Sequence, residues 1–412
     1  MKTILISIAA GSLLAALATA QTPRYTITDL GTLGGAYSYG FGINNAGEVA
    51  GGAATATQTG GLSQTAFLWY RGHMTNLGTL PGRLNSDADG PNASGEAAIS
   101  SETSMTDPNG EDFCEFGTHR QCLGAIWKHG TLTALPNLPG GNNAATFGLN
   151  NRGQIVGFAE NGVHDSTCLA GGTPFQVTQF EAVIWGANGK VRELPPLHGD
   201  TVGFAFGIND SGQVVGSSGL CANSSIPPAP SGAHAVLWEE DGSVTDLGNL
   251  GGAMNVADAV NNRGEVVGGA LSPIDGTIHT FLWTKDTGMR DYGAFPGAFV
   301  TVAPCCNTIN NSGEVVGFAI DANGPRALVW EDKVPVDLNT LIPAGSPWYL
   351  QNACAINDAG QIAGQGLING EVHAFLATPR HGGDRTQSLA PAPLSEDARK
   401  LLQRRSLSGR PR

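Results

Sequence analysis

The chain has 412 residues and a formal net charge of −13, and 59 of its residues are glycine, about twice the usual share of roughly 7%. Lys2 contributes +1 and residues 380–412 contribute +5, so residues 21–379 carry −19. So acidic a body excludes phosphate-backbone binding, which needs clustered Lys and Arg, and docking on anionic lipid; with no Gly-X-Y period, collagen is excluded as well.

Residues 1–20 read as a signal peptide. Lys2 supplies the positive end, Ile4 to Leu17 the apolar stretch, and Ala18-Thr19-Ala20 the small-residue cleavage site. The apolar stretch is too short and too Ala-rich for a comfortable membrane span. No Cys follows the cleavage site. The expected product starts at Gln21, is exported, has no membrane span and is monomeric.

From there two motifs alternate. The first is Asn-x-x-Gly followed by Glu or Gln, with its Asn at 44, 92, 150, 209, 261, 310 and 357. The second is an apolar pair ending in Trp at 69, 127, 185, 238, 283 and 330, with Ala374-Phe375-Leu376 as the seventh copy. Successive Asn positions lie 48, 58, 59, 52, 49 and 47 residues apart, a spacing that suits one four-stranded propeller blade per repeat. In the first repeat the predicted strands are A, 37–44; B, 48–53; C, 65–70; and D, 73–77. The turn Asn44-Asn45-Ala46-Gly47 has the residues of a type I turn with Gly in the left-handed position. Leu77-Gly78-Thr79-Leu80-Pro81-Gly82 then crosses to the next repeat.

The mature chain begins with a lone D-type strand, 25–30, while the last repeat (353–378) lacks a D strand. The predicted fold is therefore an all-β, seven-bladed propeller over residues 21–379, closed by the N-terminal strand completing the last blade. Closure removes open edges, which template aggregation. Residues 380–412 form a basic tail without the repeat, with a short helix predicted over 395–405.

Together, the INNxGEVVG-type turns, His373-Ala374-Phe375-Leu376 and the DLGTLGG crossover at 29–35 resemble the bacterial extracellular HAF repeat family. Weaker copies of the triplet are His234-Ala235-Val236 and His279-Thr280-Phe281. The resemblance covers about residues 25–378. It implies an exported repeat protein without a generally assigned activity, and it carries over no catalytic residues. The second repeat departs most: Pro91 stands in an apolar position, and Ala97-Ala98-Ile99 replaces Val-Val-Gly.

Seven Cys in an exported chain read as disulfides with one left over. Cys114 and Cys122 share one long loop. Cys168 and Cys221 lie in equivalent loops of neighbouring repeats. Cys354 is matched with Cys305 or Cys306. The longest loops join B to C in repeats 1 to 4, near 54–64, 102–123, 160–179 and 219–233, so the face carrying them is the expected functional face.

On that face an enzyme would draw on His198, Asp200, His164 and Asp258, for hydrolase or lyase chemistry on a glycan. Tyr37, Tyr39, Trp348 and Tyr349 are candidates for stacking on sugar rings. Asp107, Asn109, Glu111 and Asp112 crowd oxygen ligands around a Gly turn and are the leading calcium candidate, ahead of Asn85, Asp87 and Asp89. A solvated acidic turn is the favoured reading there, and no other cofactor is expected. Seven Glu or Gln after the turn Gly exchange freely, and an amide cannot transfer protons, so these are turn residues. The leading expectation is a secreted binding scaffold for a glycan or protein, without nucleic acid. The alternatives are a glycan-active enzyme at the same mouth and a surface protein attached through its basic tail.

Overall fold

The computed structural model describes residues 23–56, 63–81, 85–169, 176–221, 233–304 and 307–380. The signal segment, Cys305, Cys306 and the tail with its predicted helix lie outside the described residues.

Among the described residues the strands assemble into successive antiparallel meanders of four. The first consists of A, Gly34–Ile43; B, Val49–Thr55; C, Gln64–Tyr70; and D, His73–Gly78. The same A-to-D order recurs from Ser86, Ala144, Val202, Asn255 and Val300. The last repeat contributes only Trp348–Ile356, Ile362–Ile368 and Glu371–Pro379. Its fourth strand is N-terminal, Tyr25–Asp29, running antiparallel with Tyr25 opposite Pro379 and Asp29 opposite Phe375. This is a β-propeller. A–B and C–D turns lie on one face, and B–C loops and D–A crossovers on the other.

The Asn-x-x-Gly-Glu/Gln motif has a complete physical account. Each Asn is buried and uses its whole side chain. Asn209 shows the pattern: Oδ1 accepts from the backbone N–H of Ser211 and Gln213, while Nδ2 donates to Gln213 Oε1 and to the carbonyl of Asn261 in the next meander. The inter-meander bond runs from 44 to 92, 92 to 150, 150 to 209, 209 to 261, 261 to 310, 310 to 357 and 357 back to 44, at 2.9–3.4 Å. Asn310 and Asn357 thus repeat what Asn44 does. Glu and Gln interchange at the fifth position because only an acceptor oxygen is required there, at 2.6–2.9 Å from Nδ2 in all seven copies. The turn Gly has φ between 71° and 87°, a region that costs any residue with a Cβ.

The Gly two residues after the Glu/Gln-Val pair serves a close approach. A Cβ on Gly51, Gly216 or Gly268 would lie 1.8–2.0 Å from the carbonyl oxygen of Tyr39, Phe204 or Val256 on strand A. Strand A bulges beside each of them, between Gly40 and Gly42, Ala205 and Gly207, and Ala257 and Ala259. In the second meander the irregularity falls one residue later in the repeat, between Asp89 and Pro91. The close approach is relieved there, and Ile99 fits, fully buried, opposite Ala88.

The Trp motif seals neighbouring meanders. Trp185 is buried with Leu135 and Leu138 of the preceding crossover, and its Nε1 donates to Pro136 O. Trp238 and Trp330 repeat this with Pro195 O and Tyr292 O. Burying so large a side chain stabilises by about 2–3 kcal/mol, provided its N–H is satisfied. The DLG crossover is an Asx turn: Asp29, Asp246 and Asp291 accept from the N–H of Gly31, Gly248 and Gly293. The histidine of the HAF triplet explains itself at the same place. His373 Nδ1 bonds Asp29 and His279 Nδ1 bonds Asp291, and Arg326 replaces His opposite Asp337. Strands C and D are therefore joined by a cross-strand His–carboxylate or Arg–carboxylate pair.

Candidate functional site

The two faces differ in how fully their polar groups are committed. On the turn face, the residue after each motif Asn forms a second ring. The backbone N–H of Asn151, Asp210, Asn262 and Asn311 donates to the side-chain oxygen of Asp210, Asn262, Asn311 and Asp358 in turn, and Asp358 N–H to Asn45 Oδ1. Ala93 donates to Asn151 Oδ1 but offers no oxygen to its neighbour. Inside this rim is a cavity of about 140 Å³, walled by the aliphatic residues that precede each motif Asn and reaching Asn307.

On the long-loop face, a network of buried carboxylates joins the second and third meanders. Glu111 Oε1 accepts from the N–H of Thr178 at 3.1 Å and from that of Val177. Asn143 Nδ2 reaches Asp107 Oδ2, Glu160 Oε1 and Glu111 Oε2 at 2.8, 3.1 and 3.4 Å. Glu160 Oε2 accepts from the N–H of Asn142 and Asn143. Burial, and then the hydrogen bond and charge of Glu160, push the Glu111 carboxyl up to about 8. A carboxyl so placed holds a proton and uses it as a donor.

The calcium candidate reads differently in this light. Asp107 Oδ1 caps the N–H groups of Asn109 and Glu111, Asn109 Nδ2 turns to Glu111, and Asp112 accepts from Gly117 N–H. Asp107, Asn109 and Glu111 are thus engaged in the loop's own folding and with its neighbour, while Asp112 Oδ1 is buried without a hydrogen-bond partner among the described residues. Among the described residues the one group of potential metal-binding atoms is Asp165 with Cys168 and Cys221, and those two sulfurs form a disulfide.

The catalytic candidates do not converge. His198 is exposed on its crossover and His164 is exposed at the end of its strand, opposite Thr178. Asp200 pairs with neither: it accepts from Ser218 Oγ at 2.6 Å and binds His234 Nδ1 at 3.0 Å. His234 was legible as the histidine of the HAF-like triplet, but its carboxylate partner lies 34 residues away. Asp258 sits at the strand-A bulge of the fifth meander, buried, and burial raises its carboxyl well above the ordinary range against a backbone hydrogen bond with Gly269.

The sugar-stacking candidates are corrected too. Tyr37 and Tyr39 lie in strand A, buried with rings 5.2 Å apart, and pack with Leu367, Val372 and half-buried Tyr349. Burial drives the Tyr349 hydroxyl up to about 12. Trp348 sets its edge on Phe375. Tyr37 and Tyr39 are core, while Trp348 and Tyr349 are half-buried against it. The disulfides Cys114–Cys122 and Cys168–Cys221 are formed and are compatible with an extracytoplasmic location. Cys354 is a buried free thiol rather than a bridged one.

Two features escaped sequence reading. Phe113, Phe158, Phe180 and Phe204 form one buried aromatic cluster, with successive centroids 4.5–5.6 Å apart, beneath the second to fourth meanders. Phe113 and Phe180 come from long loops or their margins, where hydrophobic periodicity gives no signal. Exposed apolar side chains also mark the long-loop face: Met105 at 61%, Val163 at 49%, Leu220 at 41%, Ile274 at 92% and Phe299 at 54%. Met105 and Val163 lie near the ends of B strands, Leu220 and Ile274 just beyond theirs, and Phe299 on a crossover. Among the described residues no helix is long and apolar enough to cross a membrane.

No family model matches the chain, and no curated protein sequence matches it. Among solved structures, a puromycin hydrolase is 14% identical with a TM-score of 0.53, covering 92% of this chain and 56% of its own. The propeller domain of a Trilobed protease from Pyrococcus furiosus is 8% identical with a TM-score of 0.49, covering 85% of this chain and 99% of its own. A TolB from Acinetobacter baumannii is 10% identical with a TM-score of 0.38, covering 86% of this chain and 66% of its own. The chain spans little more than half the length of the hydrolase. At such identities the likeness shows the propeller fold alone.

Proposed function

We propose that this chain is an exported HAF-type repeat protein, a closed seven-bladed propeller whose long-loop face binds a protein partner. The single observation that carries the reading is the exposure of Met105, Val163, Leu220, Ile274 and Phe299, one from each of the second to sixth repeats, toward that face. Exposed apolar residues scattered singly need no explanation, but five of the six exposed large apolar side chains among the described residues fall on this face, with Val334 the exception. Four of the five are aliphatic, Tyr37 and Tyr39 are buried and Tyr349 is half-buried, which favours a protein surface over a sugar ring. Support for seven blades comes from the seven-membered Asn ring and from Tyr25–Asp29 completing the last meander.

The test is a panel of extracytoplasmic proteins and polysaccharides titrated against the mature chain and against M105S/I274S/F299S. Saturable protein binding that the triple variant loses supports the reading. Release of new reducing ends from a polysaccharide overturns it.

A second reading rests on His234, whose Nδ1 is held by Asp200 while its side chain is 45% exposed. That is the geometry of a carboxylate-oriented base, and it suits a glycan-active enzyme. His279, by contrast, has both ring nitrogens engaged by Asp291, Asp275 and Thr277. Glycan cleavage abolished by H234Q and kept in H279Q selects this reading.

A further inference from the structure

We propose that the axial cavity on the turn face receives the chain's own basic C-terminal tail, with a guanidinium seated inside the Asn/Asp rim. Three independent observations meet there: the chemistry of the cavity, the point where the tail leaves the propeller, and the charge division of the sequence.

The cavity is built to accept hydrogen bonds. Its rim carries the carboxylates of Asp210 and Asp358 with the amides of Asn45, Asn151, Asn262 and Asn311, and no Lys or Arg lines it. Asp358 Oδ2 accepts from the side-chain amides of Asn45 and Asn311. These bonds outweigh burial and hold the Asp358 carboxyl below the ordinary carboxylate range. The Asp358 carboxylate therefore stays charged at neutral pH, and Asp210 stands on the same rim. A carboxylate keeps acceptor capacity beyond such bonds, having about four lone-pair sites. Below the rim, aliphatic walls such as Ile43, Leu149 and Ile208 leave about 140 Å³. A charged head on an apolar stem fits this sequence of surfaces, and a planar guanidinium presents five donors to acceptors around it.

The tail leaves beside this rim. The last strand ends at Pro379, on the turn face. The ring of Pro379 lies 3.3 Å from where a Cβ on Gly360 would stand, in the turn that carries Asp358. Arg380 is tied down, its N–H donating to Arg24 O and its Nε to Thr26. Residues 381–412 follow, and the first arginine among them is Arg385. Five residues can extend to about 17 Å, against two strand spacings of about 4.8 Å each between the third strand and the innermost one. Residues 380–412 carry +5 and residues 21–379 carry −19, so the attraction is general as well as local. One notch breaks the rim, at Ala93, where the polar ring lacks a side-chain oxygen; it lies two repeats from the exit and leaves room for a backbone to cross.

This docking is independent of the partner-binding reading, since it concerns the opposite face. The experiment is trypsin cleavage of the full mature chain, following the bond after Arg385 against the bond after Arg399. In low salt, cleavage after Arg385 is expected to be about tenfold slower than in 1 M salt, where charges are screened beyond about 3 Å. D210N/D358N is expected to cleave at the high-salt rate without added salt. Equal rates in all three conditions overturn the proposal. Protection that grows with protein concentration also overturns it, because the rim then holds the tail of a second copy. If D210N/D358N does not fold, R385Q in the full chain decides the matter by amide exchange at Asn45 and Asn311: faster exchange supports docking, and an unchanged rate overturns it.

Discussion

The turn face and the long-loop face are built from the same seven repeats and obey different rules. On the turn face every motif Asn makes the same four hydrogen bonds, and the cost of varying it is paid by two meanders at once. On the long-loop face the connections differ in length and chemistry from repeat to repeat, held by two disulfides, a shared-proton carboxyl network and a phenylalanine cluster. The uniform face links each meander to the next through the same bonds. A varied one is where exposed apolar side chains and an open histidine accumulate.

That contrast can be broken first at the disulfide between Cys168 and Cys221, which spans 53 residues. Opening a loop of that size costs about 4 kcal/mol by the chain-entropy relation. C168A/C221A is expected to lower the denaturation midpoint accordingly, read by urea unfolding, while leaving the Asn ring's amide protection intact. Loss of protection at both faces together would show that they unfold as one unit.

The next largest effect is expected at Asn209. N209A removes its four hydrogen bonds and strands the backbone N–H groups of Ser211 and Gln213. At about 1 kcal/mol for each bond, the loss should reach about 3 kcal/mol in chemical denaturation. E265Q sharpens the same point from the other side. It keeps the acceptor oxygen for Asn261 and loses only an exposed ion pair with Arg263, so a change below about 1 kcal/mol is expected.

The carboxyl network makes the long-loop face sensitive to pH. Glu111 titrates near 8 when folded, against an ordinary value of 4.5. The folded chain therefore holds a proton that the unfolded chain releases, and this contribution is whole below about 4.5 and lost as pH rises to about 8. Glu181, raised to about 7 chiefly by burial, acts in the same sense over the lower part of that window. Melting temperature should fall between pH 5 and 8, and E111Q should flatten that slope by about half. An unchanged slope would show that Glu111 shares its proton in the unfolded chain as well.

The smallest effect is expected at the HAF-type histidine His279. Burial lowers its pKa, but the hydrogen bonds and charges of Asp291 and Asp275 prevail and raise it. Its contribution is present below about 6.5 and lost as pH rises through the raised folded value. H279Q should cost under about 1 kcal/mol at pH 6 and less at pH 8, measured by paired denaturation curves.

The sequence by itself determined the repeat, the all-β class, the Asn-x-x-Gly turn with its interchangeable Glu or Gln, and the pairing within Cys114–Cys122 and Cys168–Cys221. These rest on hydrogen bonds within five residues, or on contacts repeated so often that period alone reveals them. Tertiary structure decided the rest. It gave Asp200 to His234 instead of His198 and packed Tyr37, Tyr39 and half-buried Tyr349 against one another. It also spent Asp107 and Glu111 on a neighbouring meander 36 and 66 residues away. A side chain's direction in a propeller depends on the bulge in its own strand and the register against the next meander. Neither is written in local sequence, so the chemistry of the varied face emerged only when the strands were placed.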